Sequence, residues 1–281
     1  MKTIKKVLLG VVCTLAFFGT AQNDPFHVEV RGSGHPILLF PGFACTGDVW
    51  TDTVKELAKN YQCHVFTFAG FGEVPAIEKP WLPKMKAGVL DYISNQHLKD
   101  PIIIGHSLGG ALALWLATES DAYQQVIVID ALPSTGAVMI PNFKSEDMVY
   151  DTPYNQHVLA MNDTDFEAMA VQMAEGMTVL KEKQSIVKDW ILRADRETYV
   201  YGYTDLLRLD LREDLEKIKV PVTILAATAP YGKEMVKATY ETQYAKLEKY
   251  KLLFAENSAH FIMYDAPDWF MNELHQTLGK L

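Results

Sequence analysis

Three cysteines in 281 residues are too few for a disulfide framework. Cys13 lies in an apolar N-terminal run, which leaves Cys45 and Cys63 to consider. Cys45 follows one predicted strand and Cys63 starts the next, with a helix between them. That order puts them at opposite ends of a sheet and favours two free thiols. Basic residues are also scarce: 26 Lys and Arg face 35 Asp and Glu, for a formal charge of −9. No cluster of cations appears, so nucleic acid, which needs one for its phosphates, is not an expected partner. No His, Asp and Glu set has metal-ligand spacing, and neither a metal nor another cofactor is called for. Internal repeats and low-complexity segments are missing too. Beyond the N-terminus, no hydrophobic stretch is long enough to be a membrane span.

What is present begins with a leader. MKTIKK is basic, VLLGVVCTLAFF is apolar but too short to span a bilayer, and GTAQ supplies small residues. This predicts a secretory signal over residues 1–21, cut after Ala21, and hence an exported chain, periplasmic or secreted. Cleavage removes Lys2, Lys5 and Lys6 and no acid, taking the formal charge from −9 to −12. A lipid anchor on Cys13 is the rival; Val12, where lipoprotein signals usually carry a small residue, argues against it. The whole chain, 49% hydrophobic and 22% charged, has the profile of a soluble globular protein with a full-sized core.

After the leader, FHVEVRGSGHPILLF reads as two strands joined by a Gly-Ser-Gly turn. PGFACTGDVW is a loop, TDTVKELAKNYQ a helix and CHVFTFAG a strand. A helix around Leu82 to Ile93, a strand from Ile102 to Ile104, a helix from Leu108 to about Ala117 and the strand VIVID, ending at Asp130, continue the alternation. Strands alternating with helices predict an α/β fold with a mostly parallel sheet flanked by helices.

Between Asp130 and the strand Val222-Thr223-Ile224-Leu225 the pattern is helix without strand. The expected organisation is therefore a core over residues 22–130, an inserted helical cap over 131–215 and a second core segment over 216–281. Thr164 and Glu167 suggest a capping box. Phe166, Met169, Ala170, Met173, Met177 and Leu180 then form an apolar stripe at helical spacing. Six of the 11 methionines fall in this region. Thioethers adapt to irregular shapes, so Met139, Met169 and Met173 are candidates for a substrate pocket, with simple packing on the core as the alternative.

The chemistry centres on Gly105-His106-Ser107-Leu108-Gly109, which fits G-x-S-x-G between an apolar strand and a helix. A serine hydroxyl is a poor nucleophile unless a base takes its proton. Order, loop, elbow and late histidine together resemble the α/β-hydrolase family, specifically its cap-bearing, serine esterase-like members, over essentially everything after the leader. The resemblance implies that Ser107 is the nucleophile and that the backbone N–H groups of Leu108 and Phe43, the latter in Phe40-Pro41-Gly42-Phe43, form the oxyanion hole. It also implies that His260, in Asn257-Ser258-Ala259-His260-Phe261, is the base. His27, His64 and His97 lie elsewhere in the strand-helix order, His157 falls in the cap, and His106 is expected to pack beside the nucleophile.

Two departures from the family stand out. The penultimate strand runs into Ala226-Ala227-Thr228-Ala229-Pro230-Tyr231-Gly232 with no carboxylate before Glu234, where many members carry the acid that orients the histidine. Asp130, one strand beyond the elbow, is the first candidate for that acid; Glu234 and an acid-free site remain open, and Asp265 better suits the cap of the last helix. In addition, Thr67-Phe68-Ala69-Gly70-Phe71-Gly72 stands where many members have Asp-x-x-Gly-x-Gly. The expected activity is hydrolysis of an ester or related acyl bond of a small, apolar acyl substrate by a serine hydrolase. A non-catalytic or slow ligand-binding or sensor protein on the same fold is the alternative.

Overall fold

A computed structural model describes residues 24–279; the expected leader lies outside the described residues. Seven strands form one sheet: β1 (Phe26–Gly32), β2 (His35–Phe40), β3 (Tyr61–Phe68), β4 (Ile102–His106), β5 (Val126–Ile129), β6 (Val222–Ala227) and β7 (Tyr250–Ala255). Their order across the sheet is β1-β3-β2-β4-β5-β6-β7, with β1 antiparallel and all other neighbours parallel. Every residue of β4, β5 and β6 is buried, which explains why these strands read as unbroken apolar runs rather than alternating ones.

The helices are α1 (Thr51–Leu57), α2 (Trp81–Asn95), α3 (Leu108–Glu119), α4 (Thr135–Met139), α5 (Pro153–Ala160), α6 (Asp163–Met177), α7 (Lys181–Arg193), α8 (Arg196–Arg208), α9 (Lys233–Gln243), α10 (Ile262–Asp265) and α11 (Pro267–Leu278). The alanine- and leucine-rich α3 is almost wholly buried and packs along β2, β4 and β5. Between β5 and β6 the described chain contains only helices and turns, α4 to α8 among them. Among the described residues no helix is long and apolar enough to cross a membrane.

Two local expectations change. The Gly-Ser-Gly segment does not close a hairpin, because β1 pairs with β3, from Phe26 opposite Phe68 to Gly32 opposite Gln62. The reason is a close crossing. Gly32 has φ +76°, and a Cβ there would stand 2.4 Å from the Tyr61 carbonyl and 2.5 Å from that of Ala58. The chain passes beneath the α1–β3 turn at a spacing only glycine permits. In α6, the N-cap is Asn162, which accepts from the Asp165 amide at 2.9 Å. Thr164 instead lies within the first turn, and Glu167 pairs with Lys188 at 3.2 Å. The apolar stripe faces inward as expected, with Phe166 and Ala170 buried and Met169, Met173 and Met177 half-buried against the core.

Asp205 of α8 joins this helical segment to the core. Although buried, its carboxylate accepts from the Trp81 and Leu82 amides at 2.6 and 3.0 Å, capping α2, and from the Tyr150 hydroxyl at 2.6 Å. Negative charge at a helix N-terminus is favourable, and it satisfies donors that would otherwise be orphaned. Asp205→Ala removes the cap and strands three buried or half-buried donors, so it is expected to lower the unfolding free energy by about 2–4 kcal/mol. Urea unfolding measures this; a loss within about 0.5 kcal/mol, the scale of ordinary surface substitutions, would show that the bridge contributes nothing.

Candidate active site

The turn from β4 into α3 holds Ser107 at φ +53°, ψ −122°, a conformation rare for a residue with a Cβ. The flanking glycines make the turn possible. A Cβ on Gly105 would stand 2.2 Å from the Gly109 carbonyl oxygen, so strand and helix can approach this closely only without side chains. Ser107 N–H donates to the Ile129 carbonyl at 2.9 Å, and Asp130 N–H to that of Leu225 at 2.7 Å. The two residues thus stand at the carboxyl ends of adjacent parallel strands, where open α/β sheets place ligands.

Asp130 also has positive φ, +44°. Its Oδ2 accepts from His260 Nδ1 at 2.6 Å, and its Oδ1 accepts from the Ala227 amide and the Tyr240 hydroxyl, both at 2.9 Å. The carboxylate is therefore held from three sides: the end of β6, the buried face of α9 and the loop after β7. Because a carboxylate only accepts, Nδ1 of His260 carries the proton and Nε2 of the neutral ring keeps its lone pair. Glu234, by contrast, is exposed in the first turn of α9 and makes no described contact with His260.

His106 links the elbow to His260. It is fully buried, its ring lies 4.6 Å from that of His260, and its Nε2 donates to the His260 carbonyl at 3.0 Å. Burial, reinforced by the neighbouring imidazole, holds His106 well below the usual histidine range, so it stays neutral. With its proton on Nε2, Nδ1 is an acceptor and has no described partner. It points at the loop after β2: a Cβ on Gly42 would stand 2.8 Å from Nδ1 and 3.3 Å from the Ser107 Cβ. Phe43 is therefore the next residue after one in contact with the elbow. Among the described residues, the Phe43 and Leu108 amides donate to no protein group. The Ser107 hydroxyl likewise makes no hydrogen bond among them.

The Phe43 ring lies in an aromatic box, with centroid distances of 5.1 Å to Phe71, 6.1 Å to Trp81, 5.5 Å to Tyr199 and 5.4 Å to Tyr203. Two of the pocket candidates meet this box through tyrosines. Tyr199 donates to Met173 Sδ at 3.0 Å and Tyr203 to Met139 Sδ at 3.4 Å. Met139 is itself 57% exposed, and Met169 is half-buried in α6. Cys45 and Cys63 are buried free thiols, and burial raises both, Cys63 to about 11, so neither is a thiolate at neutral pH. A groove of about 1330 Å³ bordered by Arg31, Lys55, Trp190 and Arg193 touches none of Ser107, His260 and Asp130.

Tyr240 and the clamping role of His106 were not legible in the sequence. For Tyr240 a signal existed: Val236, Tyr240, Gln243 and Tyr244 follow helical spacing and form the buried face of α9 and its end, which carries phenols toward the loop after β5. Asp265 does not cap the last helix, as its position suggests. The N-cap of α11 is Ala266, and Asp265 accepts instead from Ala259, Thr178 and Val179.

Comparison with known proteins agrees with this architecture. A curated relative, the pimeloyl-(acyl-carrier protein) methyl ester esterase of Vibrio cholerae, is 23% identical over 198 residues, 69% of this chain and 75% of the relative. A 3-oxoadipate enol-lactonase of Acinetobacter baylyi is 21% identical over 261 residues, 89% of this chain and 91% of that protein. The crystal structure of a hydrolase from Pseudomonas aeruginosa superposes with a TM-score of 0.75 at 16% identity, covering 90% of this chain and 94% of the other. The family model described as the alpha/beta hydrolase family matches residues 37–273, from β2 into α11. With the mostly parallel sheet, the strained serine turn after β4 and a match over most of its length, the chain belongs to the alpha/beta hydrolase family.

Proposed function

We propose that this protein is a serine hydrolase that cleaves an ester, or a related acyl bond, of a small apolar substrate through an acyl-enzyme. The observation that carries the reading is the 2.6 Å His260–Asp130 pair beside the strained elbow of Ser107. Its relatives are named for a methyl ester and an enol-lactone, both substrates with an activated or accessible acyl carbon–oxygen bond.

In the first half-reaction Ser107 Oγ bonds to the acyl carbon while its proton passes to His260 Nε2. Negative charge collects on the former carbonyl oxygen, which the Phe43 and Leu108 amides receive as donors. The carbon–oxygen bond to the leaving alcohol then breaks, and His260 returns the proton to that alcohol. Water attacks the serine ester in the second half-reaction, giving its proton to His260; collapse frees the acid and restores the Ser107 hydroxyl. Asp130 keeps the proton on Nδ1 throughout and stabilises the transient imidazolium.

In this reading α4 to α8 act as a cap over residues 131–215, and the leader exports the protein to the periplasm or beyond. The aromatic box around Phe43, backed by Met173, receives the acyl chain. Met173→Ala and Met169→Ala are then expected to change the preference between butyrate and octanoate esters by about tenfold. Equal losses on both esters would assign these side chains to packing alone. The central reading is tested with a fluorophosphonate probe. Labelling of the intact protein, lost in Ser107→Ala, is expected; a protein that neither labels nor turns over esters would be a binder or sensor.

A further inference from the structure

His260 lies in the loop between β7 and α10, and three consecutive residues there are gripped by different parts of the molecule. The Ala259 amide donates to Asp265 Oδ2 at 2.8 Å, the His260 carbonyl accepts from His106 at 3.0 Å, and the Phe261 amide donates to the Met177 carbonyl at 3.1 Å. Asp265 does more than hold Ala259. Its Oδ1 accepts the Thr178 hydroxyl at 2.5 Å and the Val179 amide at 3.2 Å, both in the turn between α6 and α7. One carboxylate therefore ties the histidine loop to the helical segment between β5 and β6.

We propose that Asp265 is a positioning residue for His260, and that through Thr178 and Val179 it makes the α6–α7 turn part of the support of the catalytic base. This rests on the hydrolase reading above. The imidazole is fixed at Nδ1 by Asp130, but the direction of Nε2 depends equally on where the backbone at residue 260 sits. Three donors converge on Asp265: two amides and a hydroxyl. Only a group with two oxygens and no hydrogen can accept from all of them. An asparagine would turn its NH2 toward either Ala259 or the α6–α7 turn, breaking one side of the bridge. A catalytic group displaced by about 1 Å can lose on the order of 10² in rate.

The test compares ethyl and p-nitrophenyl esters of one acid, using the full chain. An ethoxide leaving group needs the proton that His260 returns, whereas p-nitrophenolate departs without it, so a misdirected imidazole slows the ethyl ester more. Asp265→Asn is expected to lower kcat on the ethyl ester by about 10²-fold and on the p-nitrophenyl ester by less than about tenfold, with KM little changed. Thr178→Val, which spares the Ala259 bond, is expected to move the same ratio by about threefold, a partial share of that displacement. The ratio of the two rates cancels the amount of folded enzyme, and if Asp265→Asn does not fold, Thr178→Val carries the measurement. An unchanged ratio, with both esters slowed alike or neither slowed, would overturn the inference. A wild-type protein without Ser107-dependent turnover of either ester would instead overturn the hydrolase reading, and this inference with it.

Discussion

Ser107→Ala is expected to lower turnover of activated esters by on the order of 10⁴ or more, the scale seen when a serine nucleophile is removed from a catalytic triad. Stability should scarcely move. The Ser107 side chain makes no hydrogen bond among the described residues, and alanine meets the same positive φ with a smaller side chain. Both halves of the prediction are needed. A large loss of activity with an unchanged unfolding midpoint locates the effect in the chemistry, whereas near-normal turnover in Ser107→Ala would remove the nucleophile from this site.

Asp130→Asn is expected to reduce kcat by about 10⁴, and the geometry explains why an uncharged isostere fails. Oδ1 of Asp130 accepts from the Ala227 amide and the Tyr240 hydroxyl, so an asparagine at 130 would keep its oxygen there. Its NH2 would then face His260 Nδ1, now 2.6 Å from a carboxylate oxygen. A donor at that place forces the imidazole proton onto Nε2, the atom that receives the proton of Ser107 in the proposed mechanism, and the charge that would stabilise imidazolium is lost as well. Glu234→Gln, on an exposed residue of α9, is expected to change kcat by less than about twofold, as suits a substitution away from any contact. Steady-state kinetics on one ester separates the two; the reverse pattern would move the orienting acid to Glu234.

Tyr240 bears on the same experiment. Burial, with the Asp130 charge beside it, holds its phenol well above the usual tyrosine range, so it is a protonated donor to Asp130 at neutral pH. The Asp130 carboxylate thus has a neutral phenol on one oxygen and the imidazole on the other.

Local sequence by itself determined the α/β class, the mostly parallel sheet and the glycine-flanked strand-to-helix turn at Ser107. Each of these depends on residues within one element and its neighbours. Continuous apolar runs mark strands buried on both faces, and glycines around Ser107 mark a strand and helix that cross without side chains between them. The place of His260 came from the family resemblance, and the structure puts it in the loop between β7 and α10.

Tertiary structure alone decided what meets across the sheet. Asp130 and Glu234 are both plausible acids in the sequence, and only the packing of the loop after β7 over the ends of β5 and β6 brings Asp130, and not Glu234, to His260. The pairing of β1 with β3 was hidden because a Gly-Ser-Gly segment suits a hairpin as well as a crossing beneath a neighbouring turn. Asp265 looked like a helix cap because caps are recognised by nearby residues, while its actual donors in the α6–α7 turn lie 86 and 87 positions away. A carboxylate is drawn to unsatisfied donors wherever the chain folds them together, and no local pattern records which donors those are.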